Sequence, residues 1–150
     1  AFYSYSTFQY LLTLEEQIQA LQHIHKYIVP GGYIAFDICP STCELPESQP
    51  KTLLYNIRNE ELDSDILMFT SHNVDKFQQI THWQDTYIIV DDNGNRERFQ
   101  HNLSLKGVSK DDLTLLLAQC GFKLVSIYGD FDLGEVTSDS DNLIYLAQKL

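Results

Sequence analysis

Several things that organise other small chains are scarce in this sequence. Three cysteines in 150 residues, Cys39 and Cys43 in one loop-like stretch and Cys120 in a helical pattern, make no disulfide framework for a chain this long. A reducing, cytoplasmic setting is expected. Ten Lys and Arg stand against twenty-one Asp and Glu, a formal net charge of −11, and the basic residues form no stripe. Such a surface repels a phosphate backbone, which argues against a nucleic-acid partner. No apolar run reaches the roughly 18 to 20 residues that span a bilayer. The opening residues AFYSYSTFQYLL carry no basic region and no small-residue cleavage site, so a soluble protein without a targeting signal or membrane partner is expected. The seven glycines form no G-x-G anywhere, which excludes from this stretch the glycine-rich turn that cradles a dinucleotide's phosphates.

Metal chemistry is equally thin. His23 and His25 are two apart on a predicted helix and point in different directions. Cys39 and Cys43 have no second pair at zinc spacing. The acidic run from Asp130 to Asp141 lacks the glycine position and closing glutamate of a calcium loop. Asn102-Leu103-Ser104 matches a glycosylation sequon, but in a chain read as cytoplasmic it is a chance match.

What is present is enough for one ordinary domain: 43% hydrophobic residues, with eight Phe and nine Tyr. Thr13-Leu14-Glu15-Glu16 is a capping box that starts a helix. Leu14, Ile18, Leu21, Ile24 and Ile28 then recur at helical spacing along one stripe. Pro30, Gly31 and Gly32 stop that helix, and the apolar run Tyr33–Ile38 follows as a buried strand. Ala1–Tyr5, short and aromatic, reads as the tail of another strand. Helix followed directly by buried strand is half of a strand-helix-strand unit, which needs neighbouring strands.

Beyond Cys39 the prolines Pro40, Pro46 and Pro50 predict a loop, followed by a helical segment around Lys51–Leu62. A β-rich passage comes next: Ile66–His72, Phe77–Val90 and Arg96–Leu105. Asn93-Gly94 between the last two is a strong hairpin signal. A two-residue turn there pairs Ile88 with Phe99, Thr86 with His101 and Ile89 with Arg98. One hairpin face would then pack on the body and the other line a cleft or meet a partner. Ser109 caps a second helix whose apolar stripe is Leu113, Leu116, Leu117 and Cys120, with Gly121 closing it. Phe122–Tyr128 and Leu143–Ala147 read as strands that pair antiparallel across the acidic loop Gly129–Asn142.

These segments carry a resemblance. Tyr5-Ser6-Thr7 through Leu11-Leu12-Thr13 and the helix into VPGGYIAFDI resembles the fourth strand, active-site loop, helix and fifth strand of class I S-adenosylmethionine-dependent methyltransferases. The tail is similar to that family's last helix, strand, loop and terminal antiparallel strand, through LTLLLAQCGF, YGDFD and LIYLAQK. The resemblance implies an α/β fold: the C-terminal half of a Rossmann-like sheet, parallel strands plus a terminal antiparallel one. Within this single domain, residues 66–105 would form an antiparallel β insertion acting as a cap. The family's glycine-rich cofactor turn and first strands have no counterpart here, so the chain is expected to be the C-terminal part of an enzyme and inactive alone.

The resemblance further implies S-adenosylmethionine as cofactor in the complete enzyme and a small-molecule methyl acceptor. It places Tyr5, Ser6 and Thr7 against the cofactor and Tyr10 toward substrate. The competing assignment makes Tyr5 and Tyr10 core aromatics and Ser6 or Thr7 a turn former. Trp83, Tyr87, Arg98 and His101 on the hairpin are the other candidate substrate contacts, since aromatic rings over a pocket hold apolar or cationic groups. His82 and His101 on edge strands read as half-exposed histidines, and Lys106, where relatives often have arginine, as a surface lysine. The alternative function is a non-catalytic α+β module that binds or dimerises through the β insertion. Either way the strand entering Tyr5 has an open edge that missing strands, or a partner chain such as the second copy of a homodimer, would cover.

Overall fold

The computed structural model describes residues 1–39 and 45–150. The predicted loop at residues 40–44, with Cys43, lies outside them. Two compact units are present: one spans Leu45–Ser104, the other is built from the two ends of the chain.

In the end-built unit, β1 (Phe2–Tyr3), a single 3₁₀ turn (Thr7–Tyr10), α1 (Leu14–His25) and β2 (Tyr33–Ile38) come first. β1 and β2 are parallel, with Phe2 opposite Ala35 and Tyr3 opposite Phe36. α2 (Lys110–Gln119), β7 (Phe122–Tyr128) and β8 (Leu143–Lys149) complete the unit. β8 runs antiparallel between β2 and β7, giving the sheet order β1-β2-β8-β7. The strand-helix-strand unit and the terminal antiparallel pair are thus both present.

Both capping residues act as their sequence predicts. The Thr13 side chain accepts from Glu16 N–H while Glu16 Oε2 accepts from Thr13 N–H, and the Ser109 side chain accepts from Asp112 N–H. These two helices bury Leu21, Leu113, Leu116, Leu117 and Cys120 against Ile34, Phe36, Ile38, Phe122 and Tyr145. Each fully buried large side chain contributes about 1.5 to 3 kcal/mol. Burial also pushes the Cys120 thiol pKa up.

Two details of α1 differ from the periodicity. Leu14, the first member of the stripe, is exposed, while Gln17 is buried and donates to Leu11 O at 3.0 Å. The helix ends at His25, before the Pro-Gly-Gly. Lys149 on β8 explains the early end: its Nζ donates to His25 O at 2.7 Å and Ile28 O at 2.8 Å, satisfying carbonyls released by the final turn. Gly121, at φ 84°, closes α2 beneath the His25 ring, where a Cβ would lie 2.9 Å from Nε2.

The other unit is one antiparallel sheet in sequential order: β3 (Ser48–Asn59), β4 (Ser64–Asp75), β5 (Ile80–Asp91) and β6 (Arg96–Lys106). The helix expected around Lys51–Leu62 is therefore a strand. Its apolar residues pair across to β4, Leu53 with Phe69 and Ile57 with Ile66, and this pairing overrides a weak helical preference. Pro50 is tolerated because β3 is an edge.

The β5–β6 turn also differs. Gly94 N–H bonds to Asp91 O, Asp91 N–H bonds to Asn95 O, and only Gly94, not Asn93, has positive φ. That is a three-residue turn closed by a glycine bulge. The Asp91 carboxylate accepts from Asn93 and Asn95 backbone N–H and the Asn95 side chain, which lowers its pKa. The side-chain pairs His82–Ser104 and Gln84–Asn102 fit the same register. It is shifted by one residue from the expected Ile88–Phe99 pairing, and a one-residue shift exchanges faces. Phe99 and His101 share a face with Trp83 and Tyr87, while Arg98 joins Ile88.

Candidate functional site

β1 and β2 are parallel and adjacent, so their carboxyl ends lie side by side, the position where open α/β sheets collect ligands. The chain leaving β1 there adopts an unfavourable shape. Tyr5 and Ser6 are consecutive non-glycine residues at φ 58° and 54°, a conformation costing about 1 to 2 kcal/mol per residue.

Two buried polar side chains hold this shape. Asp37, near the end of β2 and 6% exposed, accepts from Ser6 N–H at 2.7 Å through Oδ2, with the Ser6 hydroxyl 3.5 Å from the same oxygen. Gln9 has no exposed surface. Its Oε1 accepts from Cys39 N–H at 2.9 Å, and its Nε2 donates to Cys39 O at 3.3 Å and Lys106 O at 3.0 Å. A single amide thus ties the loop to the chain following β2 and to the last residue of β6. Beneath it Phe8 packs edge-on against Tyr3 and Phe36, and Tyr3 stacks on Phe36 at 5.5 Å. Desolvation raises the pKa of the Tyr3 phenol.

The outcome for the loop residues is definite. Tyr5 is 90% exposed and Tyr10 48% exposed, so neither is a core aromatic. Ser6 turns the chain, and Thr7 Oγ1 donates to Ser4 O at 2.8 Å. Asp37 and Gln9 were not among the sequence candidates. Their signal was a carboxylate inside an otherwise apolar strand and an amide flanked by two aromatics, a pattern that calls for buried partners.

Between the second half of α1 and the starts of β1 and β2, an apolar recess of about 690 Å³ is lined by Tyr3, Ile24, Tyr27, Val29 and Tyr33. Tyr27 and Val29 are 75% and 71% exposed.

The remaining candidates lie on the β3–β6 sheet. Trp83 is half-buried against His72, ring centroids 4.7 Å apart. His72 Nε2 lies 3.1 Å from Pro46 O, while His72 Nδ1 and Trp83 Nε1 have no hydrogen-bond partner among the described residues. Tyr87 is half-buried, and Arg98 and His101 are exposed. Arg98 Nη2 lies 3.5 Å from Gln100 Oε1. The opposite face of the sheet carries a shallow polar trough of about 420 Å³, bordered by Ser71, Asn73, His82, Gln84, Asn102 and Ser104.

No protein-family model and no curated protein sequence matches the chain. Solved structures match it over nearly its whole length. The CcbJ methyltransferase from Streptomyces caelestis is 18% identical at a TM-score of 0.75, with 99% of this chain and 59% of that chain covered. An S-adenosylmethionine-dependent methyltransferase from Clostridium acetobutylicum is 10% identical at 0.78, with 97% and 55% covered. CalS10 from Micromonospora echinaspora, an amino pentose methyltransferase of calicheamicin biosynthesis solved with S-adenosylmethionine bound, is 13% identical at 0.75, with 99% and 57% covered. The chain therefore spans 55–59% of the length of these structures. At such identities the common property is architecture: this chain has the mixed α/β fold of S-adenosylmethionine-dependent methyltransferases.

Proposed function

We propose that the chain is the C-terminal part of a methyltransferase that moves a methyl group from S-adenosylmethionine to a small-molecule acceptor. The observation that carries this reading is the strained Tyr5–Ser6 turn, held by Asp37 at the carboxyl ends of two parallel strands in a chain with the methyltransferase fold. The residues present fit the sulfonium end of such a cofactor. An exposed tyrosine ring attracts a cation, and the Ser6 and Thr7 hydroxyls beside it offer polar contacts. The cofactor, when bound, supplies an electrophilic methyl group.

The chain's own residues do the positioning, which provides much of the rate in such transfers. Asp37 and Gln9 fix the loop, Tyr5, Ser6 and Thr7 face the cofactor, and Tyr10 faces the acceptor. In this reading Trp83, Tyr87 and His101, which share one face of the β-rich insertion, are its candidate acceptor contacts, and Arg98, on the other face, is not among them. The cradle for the nucleotide end is missing from this sequence, and the position of the parallel strand β1 at the sheet's edge supports further strands there.

The test is calorimetric titration of S-adenosylmethionine into this chain and into the product of the longer reading frame containing it. The chain alone should show no saturable binding at micromolar concentrations, and the longer protein should bind. Asp37→Ala in the longer protein should weaken that binding about tenfold or more, the loss of one charged hydrogen bond at about 1.5 to 3 kcal/mol. Micromolar binding by the chain alone would contradict the fragment reading, and a longer protein that does not bind would contradict the cofactor assignment.

A further inference from the structure

The β-rich unit, Leu45–Ser104, is entered from the chain after β2 and left through the end of β6. One side chain holds both stems. Gln9 lies on the 3₁₀ turn Thr7–Tyr10, and its carboxamide bonds to Cys39, the residue after β2, and to Lys106, the last residue of β6.

Each stem offers backbone groups to a partner outside its own ladder. Ala35 N–H bonds to Ala1 O, and backbone polar groups alternate sides along a strand, so Asp37 and Cys39 also turn their peptide groups toward the β1 side. β1 has ended there, at Tyr3 opposite Phe36. On β6, Asp91 N–H bonds to Asn95 O, and the same alternation sends the Lys106 carbonyl away from β5.

A carboxamide matches this set of groups. Its oxygen accepts from Cys39 N–H at 2.9 Å, and its N–H groups serve Cys39 O at 3.3 Å and Lys106 O at 3.0 Å. It meets Cys39 as the peptide of a neighbouring strand would. Gln9 has no exposed surface, so losing the amide leaves buried backbone groups without these bonds and without bulk water to replace them. Gln9 is also tied to the candidate site: its backbone N–H donates to Ser6 O at 2.9 Å, and Asp37 holds Ser6 N–H.

We propose that Gln9 is a positioning residue that couples the loop at residues 5–10 to both stems of the β-rich unit, so that whatever loosens or stiffens one does the same to the other. The link stands on this geometry alone. Its service to methyl transfer, bringing cofactor and acceptor contacts under one control, rests on the proposed function.

Amide hydrogen exchange read by mass spectrometry tests the link without ligand, in the parent chain, Asp37→Ala, Gln9→Met and the double variant. Asp37→Ala removes the acceptor of Ser6 N–H and should speed exchange about tenfold in residues 6–11 and about threefold in residues 105–108. Gln9→Met keeps the side-chain length without its hydrogen bonds. In that background Asp37→Ala should still loosen the loop but leave residues 105–108 unchanged, a non-additivity that a merely structural glutamine would not produce. If Gln9→Met fails to fold by circular dichroism, Gln9→Asn, one methylene shorter, takes its place. Additive effects at residues 105–108, or an Asp37→Ala effect confined to the loop in the parent, overturn the proposal.

In the longer protein, saturating S-adenosylmethionine should slow exchange at residues 105–108, and Gln9→Met should abolish that slowing. Slowing that survives Gln9→Met also overturns the coupling. A longer protein that binds no cofactor contradicts the proposed function instead, and the ligand-free cycle still decides for or against the link.

Discussion

The two units are stabilised by different means. The end-built unit has an apolar core drawn from helices and sheet, with Phe8, Leu21, Ile34, Leu113, Leu117, Phe122 and Ala147 at 0% exposure. In the β3–β6 unit, Ile80 is the only buried apolar side chain among the described residues. Its other buried positions are Ser64, Thr70, His72, Thr81, Asp85 and Thr86. The first gains from removing apolar surface from water, which needs no particular geometry. The second depends on ladder bonds and polar pairs such as Thr70 Oγ1 to Asp85 Oδ1 at 2.8 Å, each of modest net value and expensive to break on one side only. The difference teaches that this chain needs its first unit for stability and its second for surface.

That contrast can be broken first at its apolar side. Phe36→Ala, at a residue 1% exposed, should cost about 3 to 5 kcal/mol, read as a fall in the chemical denaturation midpoint by far-ultraviolet circular dichroism. Trp83, the only tryptophan, reports the β3–β6 unit separately. A fluorescence midpoint that moves as far as the dichroism midpoint would show that the two units unfold together.

At the polar side, Asp85→Ala leaves the buried Thr70 hydroxyl without its acceptor and should cost about 1 to 3 kcal/mol, carried mainly by the Trp83 signal. A change confined to the dichroism signal would refute the division. Smaller still, Thr13→Ala removes the α1 cap and should cost about 1 kcal/mol, with faster amide exchange in Leu14–Gln17 as the local readout.

The smallest effect is acid dependence. Glu16 and Asp91 are held below their ordinary values of 4.5 and 3.8, Glu16 first by hydrogen bonding to Thr13 and Asp91 first by hydrogen bonding to the Asn95 side chain. A lowered native pKa stabilises above the unfolded value and is lost as pH falls through the native one. Stability should therefore decline below about pH 4.5, and Glu16→Gln should flatten part of that slope.

The local elements were readable because their causes are local. Thr13 and Ser109 cap their helices, Gly121 closes α2, and the apolar strand Tyr33–Ile38 forms where its composition places it. Lys51–Leu62 was misread because its pairing partner, β4, decides its state. The hairpin register moved by one residue because Gly94 alone, and not Asn93-Gly94 together, takes positive φ. At the candidate site, Tyr5, Ser6, Thr7 and Tyr10 were legible as loop residues, but their anchors Asp37 and Gln9 were not. Those bonds join residues 30 and 31 positions apart.

The sequence by itself determined where helices start, which segments are apolar enough for an inner sheet, and that no glycine-rich phosphate turn is present, because propensity, capping and patterning act over a few residues. Only the tertiary structure decided that β8 inserts between β2 and β7 and that Asp37 holds a left-handed Ser6. Those outcomes depend on which distant backbone groups find one another, and pairing between distant segments is chosen by the whole fold rather than by either segment.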